Sequence, residues 1–369
     1  MSVRGVDLIK AMESYAPSAL AVEKDRIGLQ VGDPQGEVRK VLVTLDVNEE
    51  VVDEAIRIGA NWIVAHHAVI FHPLKEIRTD EPAGRMFAKL LAHGIHVYIA
   101  HTNLDAAEGG VNDALADRLG LTGTKVLIGY KQDALKKLVV TVPVAHHEAV
   151  LNAISRAGAG WIGNYSHCTF NVEGTGTFLP RDGANPFIGQ TGELEKVKEI
   201  RLETIMPASI EKRVLEAMFK AHPYEEVAYD IYPLDLKGEP LGFGRIGSLP
   251  ETMKLDEFAR FVKDAFECDG VRVVGDPEKE IRKVAILGGS GGRYLRDVKR
   301  QGADVYITGD VDYHTAQEAM DLGISLVDPG HHVEHWVVPY VCKELEKRLN
   351  RQVPVEPSKV NTNPFRFCV

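Results

Sequence analysis

Apolar positions along the first hundred residues follow two alternating periods. Leu8 to Tyr15 has helical spacing, Lys40 to Asp46 is an apolar strand, and Val51 to Ile58 returns to helical spacing until Gly59-Ala60 stops it. A second strand, Asn61 to Ala65, runs directly into His66-His67. The proline in Phe71 to Lys75 makes that stretch a loop, and a helix over Gly84 to His93 leads to a third strand, Ile95 to Ala100. This strand ends at His101-Thr-Asn-Leu-Asp105. Strand then helix, three times over, predicts a parallel sheet. Glu23 to Gly36, with Gly-Leu-Gln-Val-Gly-Asp at Gly28 to Asp33, carries turn chemistry and reads as a loop.

The pattern returns near the C-terminus. Ile281-Arg-Lys-Val284 opens a strand as Val38-Arg-Lys-Val41 does, and a Gly-Ala step precedes the next strand in each copy, at Ala60 and Ala303. The second copy continues through a helix over Tyr294 to Arg300 and a strand over Val305 to Thr308, which ends at Gly309-Asp310 where the first ends at His66-His67. A further glycine and strand follow in each, from Gly94 and from Gly323. These matches predict two related α/β lobes, 1–126 and 251–369. Between them, 127–250 reads strand (Leu138 to Val144), helix (His146 to Ala157), two strands (Tyr165 to Phe178, Val197 to Met206), helix (Ile210 to Ala221) and strand (Glu226 to Tyr232). That order predicts an inserted ferredoxin-like α+β domain.

At 369 residues the chain exceeds one comfortable core, in keeping with this division. The net charge of -10 disfavours non-specific attraction to nucleic acid or anionic membrane, and an anionic substrate would need a local positive device such as a metal. Cys168, Cys268, Cys342 and Cys368 form no Cys-x-x-Cys unit, so a reducing, cytoplasmic setting is expected. No signal-peptide core and no apolar run of about 18 residues is visible, which predicts neither export nor membrane spanning.

Histidines cluster where the chemistry is expected. Six of the 14 fall between His66 and His101, and four more between His314 and His335. Neighbours on a strand face opposite ways, so His66-His67 alone fits either a ligand pair or one solvated and one core residue. In Asp328-Pro-Gly-His331-His332-Val-Glu334-His335 a helix is expected after Pro-Gly, with Val333, Trp336, Val337, Tyr340 and Val341 on its apolar face. His331 and Glu334, three apart, then share another face and can reach one ion. Asp105 follows a strand end and can bind metal or cap the helix beginning near Val111. His66, His67, Asp105, His331 and Glu334 form a sulfur-free set too large for one tetrahedral ion, which predicts two divalent ions, Zn, Fe or Mn. Such a pair acidifies a bound water and clamps a developing oxyanion. Gly288-Gly-Ser290-Gly-Gly292 also fits a nucleophile elbow, with Asp310 or Asp328 and His331 following in triad order. The preferred reading is a tight strand-to-helix turn whose amides can receive an anion. Thr308-Gly-Asp310-Val-Asp312-Tyr-His314 is expected to orient ligands or to cap a helix.

With Ala65 to Lys75, His101 to Asp105, Ile307 to Asp310 and Asp328 to Glu334 in hand, together with the two glycine motifs, the sequence resembles the GTP cyclohydrolase I type 2 homologues, or Nif-three-like proteins. The middle segment, with His222-Pro-Tyr-Glu-Glu-Val-Ala-Tyr-Asp-Ile-Tyr232, looks like the CutA-like or PII-like insert of the longer bacterial members. The resemblance implies two α/β lobes forming one domain, a two-metal site at their interface and a toroidal homohexamer. It places metal ligands at His66, His67, Asp105, His331 and Glu334, with His101 close by as a proton shuttle or as a group that supports the ligands. The family name implies ring-opening hydrolysis of GTP, and a nucleotide-like or amide-containing small molecule is the expected substrate class. A non-catalytic metal carrier with a ligand-sensing insert is the alternative. One departure is visible: family members often carry Trp-Asp or Trp-Asn before Gly-Leu-Gln, where this chain has Lys24-Asp25-Arg26.

Overall fold

The computed structural model describes residues 2–368, and the chain falls into two compact units. One unit comprises the residues up to Lys131 with those from Leu241 onward; the other is Gln132–Pro240. In the first unit, β1 (Gly28–Val31), β2 (Val41–Thr44), β3 (Trp62–Ala65) and β4 (His96–Ile99) stand in spatial order β1-β4-β3-β2, with Val355–Pro357 beside β2. β2, β3 and β4 are parallel, and β1 runs antiparallel to β4. Every residue of β2 and β3 is buried, as a parallel sheet covered on both faces requires. The helix Glu49–Ile58 starts where the Asn48 side chain accepts from the Val51 amide (2.9 Å), and stops at Gly59, whose φ of 73° suits glycine.

Gly28–Val31 is a strand, not the loop its glycines suggest. The cross-strand pairing of Leu29 with Tyr98 and Val31 with Val97 overrides the local turn chemistry. Gln30 on this edge accepts from the Ile70 amide (2.7 Å), which ties the segment after His66-His67 to the sheet.

The second unit has the β-α-β-β-α-β order expected for a ferredoxin-like domain. β5 (Thr122–Pro143), the helix His147–Arg156, β6 (Thr169–Phe178), β7 (Glu195–Pro207), the helix Glu211–Ala221 and β8 (Tyr229–Lys254) follow in sequence, with spatial order β6-β7-β5-β8. β5 and β8 each begin in one unit and end in the other, so their inner parts alone belong to this sheet. Leu138, Val140, Val142, Val150, Ile154, Leu202, Met206, Val214 and Met218 form its buried core.

Back in the first unit, the later part of β8 pairs antiparallel with β10 (Glu280–Ser290). β10, β11 (Val305–Gly309) and β12 (Ser325–Asp328) are parallel, and β9 (Arg272–Val274) runs antiparallel to β12. The order β9-β12-β11-β10 therefore repeats β1-β4-β3-β2. The likeness extends to detail. Asn61 Oδ1 accepts from the Arg39 amide (2.9 Å) and Lys40 amide (3.4 Å); Asp304 Oδ2 accepts from the Arg282 amide (3.0 Å) and Lys283 amide (2.7 Å). Each clamp stands one residue before the second parallel strand. Trp62, Tyr98, Phe258, Ile286 and Val341 belong to one core shared by both lobes. Among the described residues, no helix is long and apolar enough to cross a membrane.

Candidate metal centre

The site forms where the carboxyl ends of the parallel strands of both lobes meet, the position that open α/β sheets give to ligands. β3 delivers His66 and His67, whose amides are fixed on Leu45 O at 3.1 and 3.0 Å. β4 delivers His101, and Asp105 follows on the short helix Thr102–Ala106. β12 delivers Asp328, whose carboxylate accepts from the Gly330 amide (2.8 Å) and the Val311 amide (3.0 Å), shaping the turn into His331. The expected α-helix from His331 is a 3₁₀ segment, His331–Val337, and the α-helix starts only at Val338–Arg348. A 3₁₀ turn eclipses positions i and i+3, so His331 Nε2 comes within 3.1 Å of Glu334 Oε2.

Four histidines share one arrangement. His66 Nδ1 donates to Ala100 O (2.9 Å), His67 Nδ1 to Asp46 (2.7 Å), His101 Nδ1 to Asp25 (2.9 Å) and His331 Nδ1 to Asp310 (2.7 Å). Each ring therefore turns Nε2 toward the centre; that of His66 has no partner, while those of His67 and His331 face Glu334 Oε2 at 3.2 and 3.1 Å, an ion pair with Glu334 that raises both imidazoles and that an ion entering between them would replace. The ligand atoms fall into three overlapping groups able to hold an ion: His66, His67 and His101; His67, His331 and Glu334; His66, Asp105 and Glu334. His66 Nε2 lies 3.6 Å from Asp105 Oδ1 and 3.8 Å from Glu334 Oε2, while His67 Nε2 lies 3.2 Å from Glu334 Oε2. All six sequence-predicted side chains thus gather in one place, and none of them stands apart.

His66 and Glu334 are 2% and 3% exposed, so their polar atoms are nearly sealed from water. His66 Nε2, Asp105 Oδ1 and Glu334 Oε2 are buried without a hydrogen-bond partner, an expensive state that a bound cation relieves. Burial pushes the His66 imidazole down to about 3, leaving it neutral and ready to coordinate. Burial and the neighbouring Glu334 push Asp105 well above the usual carboxylate range. Burial alone would raise Glu334 as well, but His331 and His67 hold it ionised. Two like charges in one dry pocket split in this way, and a cation held between them would let both ionise.

The glycine motif serves this site sterically. At Gly289, with φ of 64°, a Cβ would come within 2.7 Å of Glu334 Oε1 and 3.3 Å of His331 Nε2. Gly288 donates its amide to Asn112 (3.0 Å). The nucleophile-elbow geometry is absent: among the described residues Ser290 makes no hydrogen bond to His331, whose Nε2 faces Glu334 and His67. Asp105 does not cap the following helix, whose N-cap is Gly110. Asp312 does cap one, accepting from the Thr315 amide (2.7 Å), while Asp310 anchors His331. Cavities of about 730 Å³ and 440 Å³ open on either side of the centre; the first reaches His67, His331, Arg272 and Arg366, the second His101, Asp105 and Glu334.

The sequence pattern described as Duf34/NIF3 (NGG1p interacting factor 3) matches residues 3–364. The chain belongs to the DUF34/NIF3 family. Within it, the chain is 52% identical over 369 residues to a GTP cyclohydrolase 1 type 2 homolog of Bacillus subtilis, covering 99% of both chains. It is 37% identical to one of Mycobacterium tuberculosis, covering 98% of that protein. A solved structure of a Bacillus cereus protein related to NIF3 superposes over the full length of both chains with a TM-score of 0.88 at 51% identity.

Asp25 and Asp46 were not legible as part of this DUF34/NIF3 site. Asp25 accepts from His101 Nδ1, from the Thr102 amide (3.0 Å) and from the Thr102 hydroxyl. Its one signal in the sequence is an acidic residue three positions before Gly28-Leu-Gln. Asp46 had no signal beyond ending an apolar strand.

Proposed function

We propose that this chain is a binuclear metal-dependent hydrolase of the GTP cyclohydrolase 1 type 2 kind, acting on GTP or another nucleotide-like or amide-containing small molecule. The observation that carries this reading is the set of buried atoms without a hydrogen-bond partner, His66 Nε2, Asp105 Oδ1 and Glu334 Oε2, with the Nε2 atoms of His67 and His331 gathered on the same carboxylate. His66, Asp105 and Glu334 would hold one ion, and His67, His331 and Glu334 the other, with Glu334 shared. Zinc, iron or manganese suits these donors and supplies Lewis acidity that acidifies water and steadies a developing oxyanion. The chain's own groups do the rest. Asp25 orients His101, whose Nε2 passes a proton at the reacting atom; Arg366 at the larger cavity attracts an anionic substrate, while Arg272 there is paired with Asp328. A cytoplasmic homohexamer, with lobes 1–126 and 251–369 around a PII-like insert at 127–250, belongs to the same reading. The rival, a non-catalytic metal-binding or trafficking protein, draws on the near-complete burial of His66 and Glu334.

The test begins with metal content per chain, parent against a His66→Ala, Glu334→Ala double variant, followed by turnover of GTP. About two equivalents in the parent, lost in the variant, with turnover lost in parallel, is the expected result. Metal without turnover of any nucleotide favours the carrier. Little metal after reloading with Zn, Fe or Mn overturns both.

A further inference from the structure

The inserted unit holds a cavity of about 410 Å³ that the proposed chemistry does not use. Phe178, Phe187 and Tyr224 wall it with aromatic surface: the Phe178 and Tyr224 rings meet at 5.9 Å and 63°, the Phe187 and Tyr224 rings at 6.4 Å and 50°. Into this apolar corner projects Glu199, only 6% exposed. Glu199 Oε1 accepts from the Tyr224 hydroxyl (2.8 Å), and Tyr224 is itself placed by its amide, which donates to His222 Nδ1 (3.1 Å). Glu199 Oε2 has no hydrogen-bond partner among the described residues. It lies over Gly176, where a Cβ would come within 2.2 Å, so the glycine leaves the space this oxygen fills.

A carboxylate set among aromatic rings, with one oxygen free of protein partners at the cavity, is placed to receive a positive group. None of the ion pairs formed nearby, such as those of Lys137 and Arg201 with Glu203, includes Glu199. Ring faces attract cations as well, most strongly where water is excluded. Anionic ligands are disfavoured, because Glu199, Glu225 and Glu226 line the cavity against a single cationic residue, Arg181, and Glu225, Glu226 and Arg181 are all exposed. We propose that the insert binds a small organic cation of the amine or guanidinium class, seated against Phe187 and Tyr224 with its N–H groups on the Glu199 carboxylate.

The probe is benzamidine, with its neutral analogue benzamide as control, titrated into the full-length chain by calorimetry and ligand-observed NMR. Benzamidine is expected to bind saturably and at least about tenfold more tightly than benzamide. Glu199→Gln should erase that preference, and Phe187→Ala, which removes a ring that is 54% exposed and so leaves the fold intact, should weaken benzamidine several-fold. Circular dichroism checks that each variant is folded; if Glu199→Gln is not, the benzamide control and Phe187→Ala decide. Equal binding of both probes, unchanged affinity in Phe187→Ala, or no saturable benzamidine binding to the folded parent overturns the proposal.

Discussion

In the first lobe β3 runs out into His66-His67; in the second, β11, at the same place in the same strand order, runs out into Gly309-Asp310. Counted from the paired strands, Asp310 occupies the position of His67. It does not join the ligand atoms but turns to His331 Nδ1, delivered from the next strand end. The first lobe anchors His67 through Asp46, from the strand before. Two lobes with one backbone plan thus reach one centre by different strands. The scaffold tolerates exchange of roles between neighbouring strand ends, because all of them open on the same edge.

The largest expected effect breaks the shared centre itself. On the proposed two-ion reading, Glu334→Gln should strip both ions, since Glu334 belongs to two of the three candidate groups, whereas His66→Ala and His331→Ala should each strip one. Elemental analysis distinguishes these outcomes, and loss of both ions in either histidine variant would show that the lobes do not hold separable sites. Next, Asp46→Asn and Asp310→Asn should each weaken the ion held by His67 and His331 by about 10- to 100-fold, read by chelator competition. If the two substitutions weaken different ions, the anchoring roles of the two carboxylates are not equivalent.

A smaller effect compares the clamps. Asn61→Ala should cost about 1–3 kcal/mol in chemical denaturation, because the part-buried Arg39 and Lys40 amides lose their acceptor and Glu37 O loses a donor. Asp304→Ala should cost less, since Asn61 is 5% exposed and Asp304 is only half-buried. Equal losses would mean that burial does not set the difference. The smallest lies in the insert. Burial lowers the His222 pKa, and the ring accepts from the Tyr224 amide while donating to Thr141 O, so it must be neutral. Its contribution is present above the unfolded value of about 6.5 and is lost as pH falls below it. Protection factors over Glu211–Ala221, corrected for the intrinsic exchange rate at each pH, should fall on acidification in the parent and less so in His222→Gln; an identical fall in both counts against the assignment.

Strand ends were legible because apolar runs stop abruptly at polar, metal-competent side chains, as at His66 and His101. The repeat was legible in Arg-Lys-Val and Gly-Ala, since the same turn and pairing chemistry is needed twice. β1 was not, because four residues among glycines carry too little periodicity and owe their conformation to Tyr98 and Val97. The 3₁₀ form of His331–Val337 escaped for a related reason: i, i+3 spacing suits both helix types, and Asp328 decides between them through backbone bonds distant in sequence. Asp25 and Asp46 reach histidines 76 and 21 residues away, a relation that no local spacing encodes.

His67 and His331, whose Nε2 atoms lie 3.3 Å apart, are separated by 264 residues of chain. A ribosome adding about 5–20 residues per second therefore needs roughly 13–53 s between them. During that interval His66, His67, His101 and Asp105 can already be folded on their sheet, yet Glu334 and His331 do not exist. The centre cannot be completed until the C-terminal lobe has emerged, so filling it would report that synthesis has passed Glu334.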